Sequence, residues 1–334
     1  MYIGGTFMPK SEPVISKENL ILFDWLTFSS QSDSPETIMK LLGLDHVSWQ
    51  RMDRGRYGYK SRYFFENISI LYDGADNMGV CVDMSGMGCR AFETYSSISW
   101  EELRDILFYN VGDYNVTRLD MAFDDHTGIL DISKIFADTL DHLFVSKSRL
   151  SQVIVSDNQD NDIRGLTVKI GSDQSNMLIR IYDKAAERLL SDVHWVRVEM
   201  QMRDEIATGF LSGLMRNPMG VHFRGVLHNY LRYVVPSADS NKRRWPMTSY
   251  WSQLLEGVDK IRCWSNPGTE YNEFNLSNFV INQAGNAIDS YLQVFSLDDL
   301  LRELKNRPCK ELPPKYQRLV DRAKMLKERG FKDE

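Results

Sequence analysis

The stretch VTRLDMAFD, residues 116–124, alternates along its whole length. Successive side chains of a strand point to opposite faces. Thr117, Leu119, Met121 and Phe123 therefore share one face, and Val116, Arg118, Asp120, Ala122 and Asp124 share the other. Two more segments repeat the design. In WVRVEMQMR (195–203), Val196, Val198, Met200 and Met202 oppose Trp195, Arg197, Glu199, Gln201 and Arg203. In LIRIY (178–182), Ile179 and Ile181 oppose Leu178, Arg180 and Tyr182. Each strand has one greasy face and one face of arginine, carboxylate or tyrosine. A sheet whose far side is merely solvated would account for alternation alone. Solvated faces usually mix Lys, Thr, Ser and Glu, however, and these positions hold no lysine.

Arginine recognises phosphate bidentately, and clustered carboxylates hold a hard divalent cation. If the three strands are neighbours, their polar face suits a metal ion and a phosphate. Asp120 and Asp124 lie about 13 Å apart on an ideal strand, too far to share one ion without a bend. Asp120 and Glu199 on adjacent strands are expected across from each other, about 5 Å apart, where they would bind Mg²⁺ or Mn²⁺ with positions left for water and phosphate oxygens. Tyr182 on that face can attack phosphorus if a metal or a neighbouring cation favours its phenolate. A buried structural tyrosine fits the position equally well.

Outward from these strands the chain is β-rich with interspersed helices. Strands are expected at 20–28, within 57–73, around 78–93, and at 115–124, 166–171, 177–183 and 195–203. Helices are expected at 35–44, 99–110 (opened by a Ser99/Glu102 capping box), 131–144 and just after Asp183. Helical periodicity dominates 204–233, 248–263, 270–295, 297–306 and 313–330. No internal repeat is visible. The pattern predicts an α+β fold with a largely antiparallel central sheet. An extended lead-in (1–19), a catalytic domain (20–235) and a mainly helical C-terminal region with a basic tail (236–334) make up the expected domains.

With 43% hydrophobic, 11% aromatic and 26% charged residues among 334, disorder, collagen and coiled coil are excluded. Cys81, Cys89, Cys263 and Cys309 form no CxxC pair, which points to free thiols in a reducing cytoplasm. No signal peptide and no apolar run of about 20 residues is present, so a cytoplasmic protein without a membrane partner is expected. The net charge of −6 looks unfavourable for a nucleic-acid partner. It is a sum over unlike parts, because residues 302–334 carry 11 Lys+Arg against 6 Asp+Glu. Acids that hold a metal also reverse their local charge when the ion binds.

VTRLDMAFDD, the preceding MSGMGCRAFE, and the later IRIYDKAAERL and WVRVEMQMRDE, in this order, resemble the replication initiation factor family. ILFDWLTF (21–28) resembles that family's opening, so the likeness spans roughly residues 20–235. The family comprises rolling-circle replication initiators of plasmids and phages and related relaxases of mobile elements. The resemblance implies site- and strand-specific DNA nicking and joining at a replication origin or transfer origin, on single-stranded or melted DNA. It places the nucleophile at Tyr182, which would become 5′-phosphotyrosyl-linked and free a 3′-OH. It also implies Mg²⁺ or Mn²⁺ at Asp120, Glu199 and Asp124. Arg118, Arg180, Lys184, Arg197 and Arg203 then become contacts for phosphate or the transition state. No histidine cluster offers an alternative metal site, and His126 suits a turn.

Further DNA contacts are expected from Arg90, in a glycine-rich MSGMGCR loop or tight turn, and from Lys242, Arg243 and Arg244 beside Trp245. A host helicase and a second copy of the chain are further prospective partners. Two rival readings remain: a conjugative relaxase with the same chemistry, and a non-catalytic origin-binding protein that kept the fold.

Overall fold

The computed structural model describes residues 18–109, 114–157, 163–260, 285–306 and 320. The lead-in to residue 17, the start of the 270–295 helix, nearly all of the 313–330 helix, Cys263 and Cys309 lie outside the described residues.

β1 (Leu20–Ser30), β2 (Gln50–Met52), β3 (Ser61–Phe65), β4 (Ile68–Tyr72), β5 (Val80–Met84), β6 (Tyr114–Asp125), β8 (Ser151–Asp157), β9 (Ile163–Ile170), β10 (Met177–Asp183) and β11 (Val196–Arg203) form one ten-stranded sheet. Every pairing in it is antiparallel, in the order β2-β3-β4-β5-β1-β6-β11-β10-β9-β8. The α+β expectation is met. The alternation in β6, β10 and β11 has the consequence it predicts. Met121, Phe123, Val198, Met200, Ile179 and Ile181 are all buried in one core, each worth roughly 1.5–3 kcal/mol against exposure. Helices α1 (Pro35–Leu41), α2 (Gly86–Tyr95), α3 (Trp100–Tyr109), α4 (Ile132–Leu140), α6 (Asp204–Leu214), α7 (Met219–Tyr230) and α8 (Ser249–Leu255) contribute to that same core. Among the described residues, no helix is long and apolar enough to cross a membrane.

Several local expectations hold and two change. The capping box opens α3 as predicted: Ser99 N–H donates to Glu102 Oε2 at 2.7 Å, and Glu102 N–H to Ser99 Oγ at 3.2 Å. The strand expected over 78–93 stops at Met84, and the glycine-rich segment is the first turn of α2, neither a loop nor a β-turn. Gly88 is required there, since a Cβ would lie 2.4 Å from the Asn67 carbonyl oxygen. The helical stretch 204–233 is broken into α6, α7 and a short strand β12 (Leu231–Tyr233), which pairs with β7 (Phe144–Ser146) in a separate two-stranded sheet.

The strand order is a palindrome about the β1–β6 pair. β5, β4, β3 and β2 extend on one side as β11, β10, β9 and β8 do on the other, and α2 packs on β1 as α6 packs on β6. Val80-Cys81-Val82-Asp83-Met84 of β5 echoes Val196-Arg197-Val198-Glu199-Met200 of β11. The sheet thus has two halves of matching strand order, a symmetry that only the tertiary structure displays.

Candidate active site

The polar face of β6, β11 and β10 carries most of the residues singled out from sequence. Their register differs from the simplest expectation. Asp120 is opposite Gln201, and Glu199 is opposite Ala122, so the two carboxylates are diagonal neighbours. On the next strand Arg180 faces Glu199 and Tyr182 faces Arg197.

Tyr182 sits between a base and a cation. Its hydroxyl donates to Glu199 Oε2 at 3.2 Å, and Lys184 Nζ donates to the hydroxyl oxygen from 3.4 Å. Lys184 opens the short helix α5 (Lys184–Glu187), whose N-cap is Asp183. The lysine is buried, lies 5.3 Å from the Tyr182 ring centroid and pairs with Glu187. Burial, with the added charge of Glu199, raises the Tyr182 phenol well above its ordinary value of 10, so the hydroxyl keeps its proton at rest. Burial and the Arg197 charge lower the Lys184 pKa.

Around this centre each carboxylate meets an arginine. Arg180 bonds Glu199 Oε1. Arg118 grips Asp120 through Nε at 3.0 Å and Nη2 at 2.6 Å, reaches Gln201 at 3.2 Å, and stacks 4.0 Å above the Trp25 ring. Arg197 grips Asp124 at 2.6 and 2.7 Å and also donates to Asp24 at 2.7 Å. Asp24 stands at a register shift in β1, between Phe23 and Trp25, where a bulge re-aims a side chain. Asp24, Trp25 and Gln201 are site residues that alternation and motif did not select. An acidic residue inside the otherwise apolar ILFDWLTF strand was the available signal.

The donor set suits a hard divalent cation at two of the three expected carboxylates. Asp120 and Glu199 are 1% and 2% exposed. Burial pushes the Asp120 carboxyl up to about 7, with the Glu199 charge adding to the rise and Arg118 opposing it. Two buried like charges that repel are what a dication relieves. Asp124 stands outside that pair; Arg197 holds both its oxygens, as Arg118 holds both of Asp120. Among the described residues, no group of three or more His, Cys, Asp or Glu could hold a metal. Any ion at Asp120 and Glu199 would therefore complete its shell with water and phosphate oxygens.

The remaining expected contacts are placed differently. Arg203 is on the same face, opposite Arg118, and its buried Nε has no partner among the described residues. Arg90 is committed within the fold, donating to the Phe23 carbonyl and to Glu93, each at 2.7 Å. Lys242, Arg243 and Arg244 form a 3-10 turn in the helical layer, with Lys242 bonded to the His142 carbonyl and Arg244 paired to Asp239. His126 follows the end of β6, 5.1 Å from the Trp195 ring, as a turn residue would. In the matching N-terminal half, Asp83 stands where Glu199 does, with Ser69 opposite it in place of Arg180 and Leu71 in place of Tyr182. That half has no tyrosine at the position matching Tyr182.

The replication initiation factor model matches residues 114–306, and the model of the rolling circle replication initiation protein N-terminal domain matches residues 20–107. A curated protein of Bacillus subtilis (strain 168), described as "Putative DNA relaxase NicK", is 23% identical over 340 residues, covering 95% of this chain and 94% of the relative. The solved structure of the rolling circle replication initiator protein from Geobacillus stearothermophilus is 31% identical, with a TM-score of 0.68, over 74% of this chain and 99% of that one. The motif order, the palindromic sheet and these matches together establish that the chain belongs to the replication initiation factor family of rolling-circle initiators and relaxases.

Proposed function

We propose that the polar face of β6, β10 and β11 nicks and rejoins one DNA strand, with Tyr182 as nucleophile. The observation that carries this reading is the Tyr182 hydroxyl held between Glu199 Oε2 and Lys184 Nζ. A phenol with a raised pKa is a poor nucleophile until it loses its proton. Glu199 is positioned to accept that proton as the phenolic oxygen bonds to phosphorus. The phosphorus–O3′ bond breaks, and the departing oxygen takes a proton from water to become a 3′-OH. The 5′-phosphate remains on Tyr182. In rejoining, the 3′-OH gives its proton to water as it attacks the phosphotyrosine, the phosphorus–Tyr182 bond breaks, and Glu199 returns its proton to the phenol.

Lys184 steadies negative charge on the tyrosyl oxygen, and Arg180, next to Glu199, can reach a non-bridging phosphate oxygen. Asp120 and Glu199 would hold a divalent metal ion, Mg²⁺ or Mn²⁺ by ligand type, which when bound supplies charge neutralisation at the phosphate. Arg197 works through others: it ties Asp24 and Asp124 together behind Tyr182 and fixes the floor of the site. The DNA would be an origin presented single-stranded or melted, so that one strand is free to bend and bring its phosphate onto a half-buried tyrosine. The end-to-end match with a described relaxase favours conjugative strand transfer as a second setting for the same chemistry.

The test is incubation with Mg²⁺ or Mn²⁺ and single-stranded oligonucleotides from the protein's own origin region. A covalent protein–DNA adduct is expected from the wild type and none from Tyr182→Phe. Cleavage persisting in Tyr182→Phe would reassign the nucleophile. Absence of any adduct across the origin would favour an origin-binding protein without catalysis.

A further inference from the structure

The N-terminal half of the sheet, where Leu71 stands in the place of Tyr182, carries a feature the strand-transfer chemistry does not use. The turn between β2 and β3 belongs to a thirteen-residue segment, QRMDRGRYGYKSR (50–62), with Arg51, Arg54, Arg56, Lys60 and Arg62 against one acid, Asp53. In a chain of net charge −6 this is a local reversal of sign. The counter-charges are few. Arg51 is 3.9 Å from the exposed Asp53, and Arg56 is 4.0 Å from Asp83. Among the described residues, Arg54 and Arg62 have no carboxylate partner, and Arg62 Nε and Nη1 are buried without a hydrogen bond. Arg54 and Arg56 repel Arg62 and, after burial, add to the lowering of its pKa. A cation cluster left in this condition is stabilised by an anion.

The hairpin faces the catalytic side. Arg62 is paired in register with Leu71, and Leu71 with Cys81, while Phe64, Ser69, Asp83, Thr27 and Arg118 form the adjacent row across β3, β4, β5, β1 and β6. Arg62 therefore projects from the same face as Arg118. Side-chain contacts join the two ends. Arg56 meets Asp83, Asp83 Oδ1 accepts from Trp25 Nε1 at 2.9 Å and Thr27 Oγ1 at 3.0 Å, and Trp25 carries Arg118, which grips Asp120.

At the tip, Tyr57 is 63% exposed and holds φ at +55°, a conformation that non-glycine residues seldom adopt. The backbone around it is pinned. Lys60 N–H donates to the Asp73 carbonyl at 3.1 Å, the Tyr59 hydroxyl donates to the Met78 carbonyl at 3.0 Å, and a Cβ at Gly55 would collide with the Tyr59 carbonyl oxygen at 2.1 Å. An exposed aromatic ring on a pinned, cationic hairpin has the two elements that bind single strands without reading bases: phosphate charge neutralisation and a stacking platform.

We propose that the β2–β3 hairpin is a binding site for single-stranded DNA, in which Arg54, Arg56 and Arg62 contact phosphates and Tyr57 stacks on a base of the strand leading to Tyr182. The inference rests on the reading of that face as a strand-transfer site.

The experiment is done on the full chain carrying Tyr182→Phe, without divalent metal, so that its outcome does not depend on cleavage. The probe is a fluorescein-labelled dT oligonucleotide about 20 nucleotides long, which exceeds the roughly 4–16 nucleotides of typical single-strand sites. Binding is followed by anisotropy across a salt series, alongside a duplex of equal length. Tyr57→Ala should weaken single-strand binding about tenfold and Tyr57→Phe should restore it. Arg54→Gln with Arg56→Gln should lower the salt slope by about 1.4, because two phosphates are no longer neutralised. These side chains are exposed, and thermal melting checks that each variant folds. Unchanged affinity and slope in both variants would overturn the proposal, as would an equal loss on the duplex. Loss of the adduct in Tyr182→Phe with hairpin binding intact would separate this result from the test of the nucleophile.

Discussion

Replacing Asp120 by Asn tests whether the buried carboxylate pair is poised for a cation. In the folded protein the Asp120 carboxyl is pushed up to about 7 from an ordinary 3.8, by burial first and by Glu199 in addition. A carboxyl raised on folding binds more protons folded than unfolded between these two values. Its contribution to stability is therefore fully present below about pH 4 and lost as pH rises through 7. Each tenfold change in proton affinity is worth about 1.4 kcal/mol, so the loss is at most about 4 kcal/mol. The assay is urea unfolding of wild type and Asp120→Asn at pH 4.5, 6 and 8, comparing the differences between the two proteins. The wild type should lose stability relative to the variant across this range. Millimolar Mg²⁺ at pH 8 should return part of the loss to the wild type and nothing to Asp120→Asn, because a cation stabilises the ionised pair by mass action. Parallel pH profiles for the two proteins would refute the raised pKa, and equal Mg²⁺ responses would refute Asp120 as a ligand.

Other outcomes follow from the same geometry. Lys184→Met removes the cation beside the Tyr182 oxygen and should slow adduct formation by about 100-fold with little change in oligonucleotide affinity, measured in single-turnover cleavage. Arg197→Met strands the buried Asp124 and the partly buried Asp24 without a counter-charge and should cost about 3–5 kcal/mol in urea unfolding, whereas Arg197→Met with Asp24→Asn and Asp124→Asn should recover part of it. Gly88→Ala should lower the thermal midpoint, because its Cβ would press on the Asn67 carbonyl at 2.4 Å. Overpacking of that kind costs about 1–3 kcal/mol.

The two-faced design of β6, β10 and β11 is legible in the chain because strand alternation is a local rule of period two. It assigns Asp120, Glu199, Arg180 and Tyr182 to one face without knowledge of their neighbours. The capping box at Ser99 and Glu102 is equally local and equally readable. Pairing is not local. Asp120 meets Gln201 and Glu199 meets Ala122 because register depends on how whole strands slide to bury Phe123, Val198 and Ile181 together. A shift at Asp24 in β1 then brings a third carboxylate to Arg197, which no alternation rule predicts.

In two places tertiary contacts engage basic side chains that the sequence alone leaves free. Arg90 follows glycines that suggest a loop, yet close packing of α2 against the β3–β4 turn requires those small residues and turns Arg90 onto the Phe23 carbonyl. Lys242, Arg243 and Arg244 are the densest basic run between β12 and α8, and Lys242 is bonded to the His142 carbonyl and Arg244 to Asp239.

By itself, then, the sequence determined which side chains share a face and which chemical groups that face offers. Tertiary structure decided which of them touch: Glu199 at the Tyr182 hydroxyl, Asp120 raised toward neutrality, and the Arg54–Arg62 hairpin joined to the site through Trp25 and Arg118. The physical reason is range. Alternation is set by each strand's own backbone, whereas contacts and pKa values depend on burial and charge contributed by residues as much as 173 positions apart.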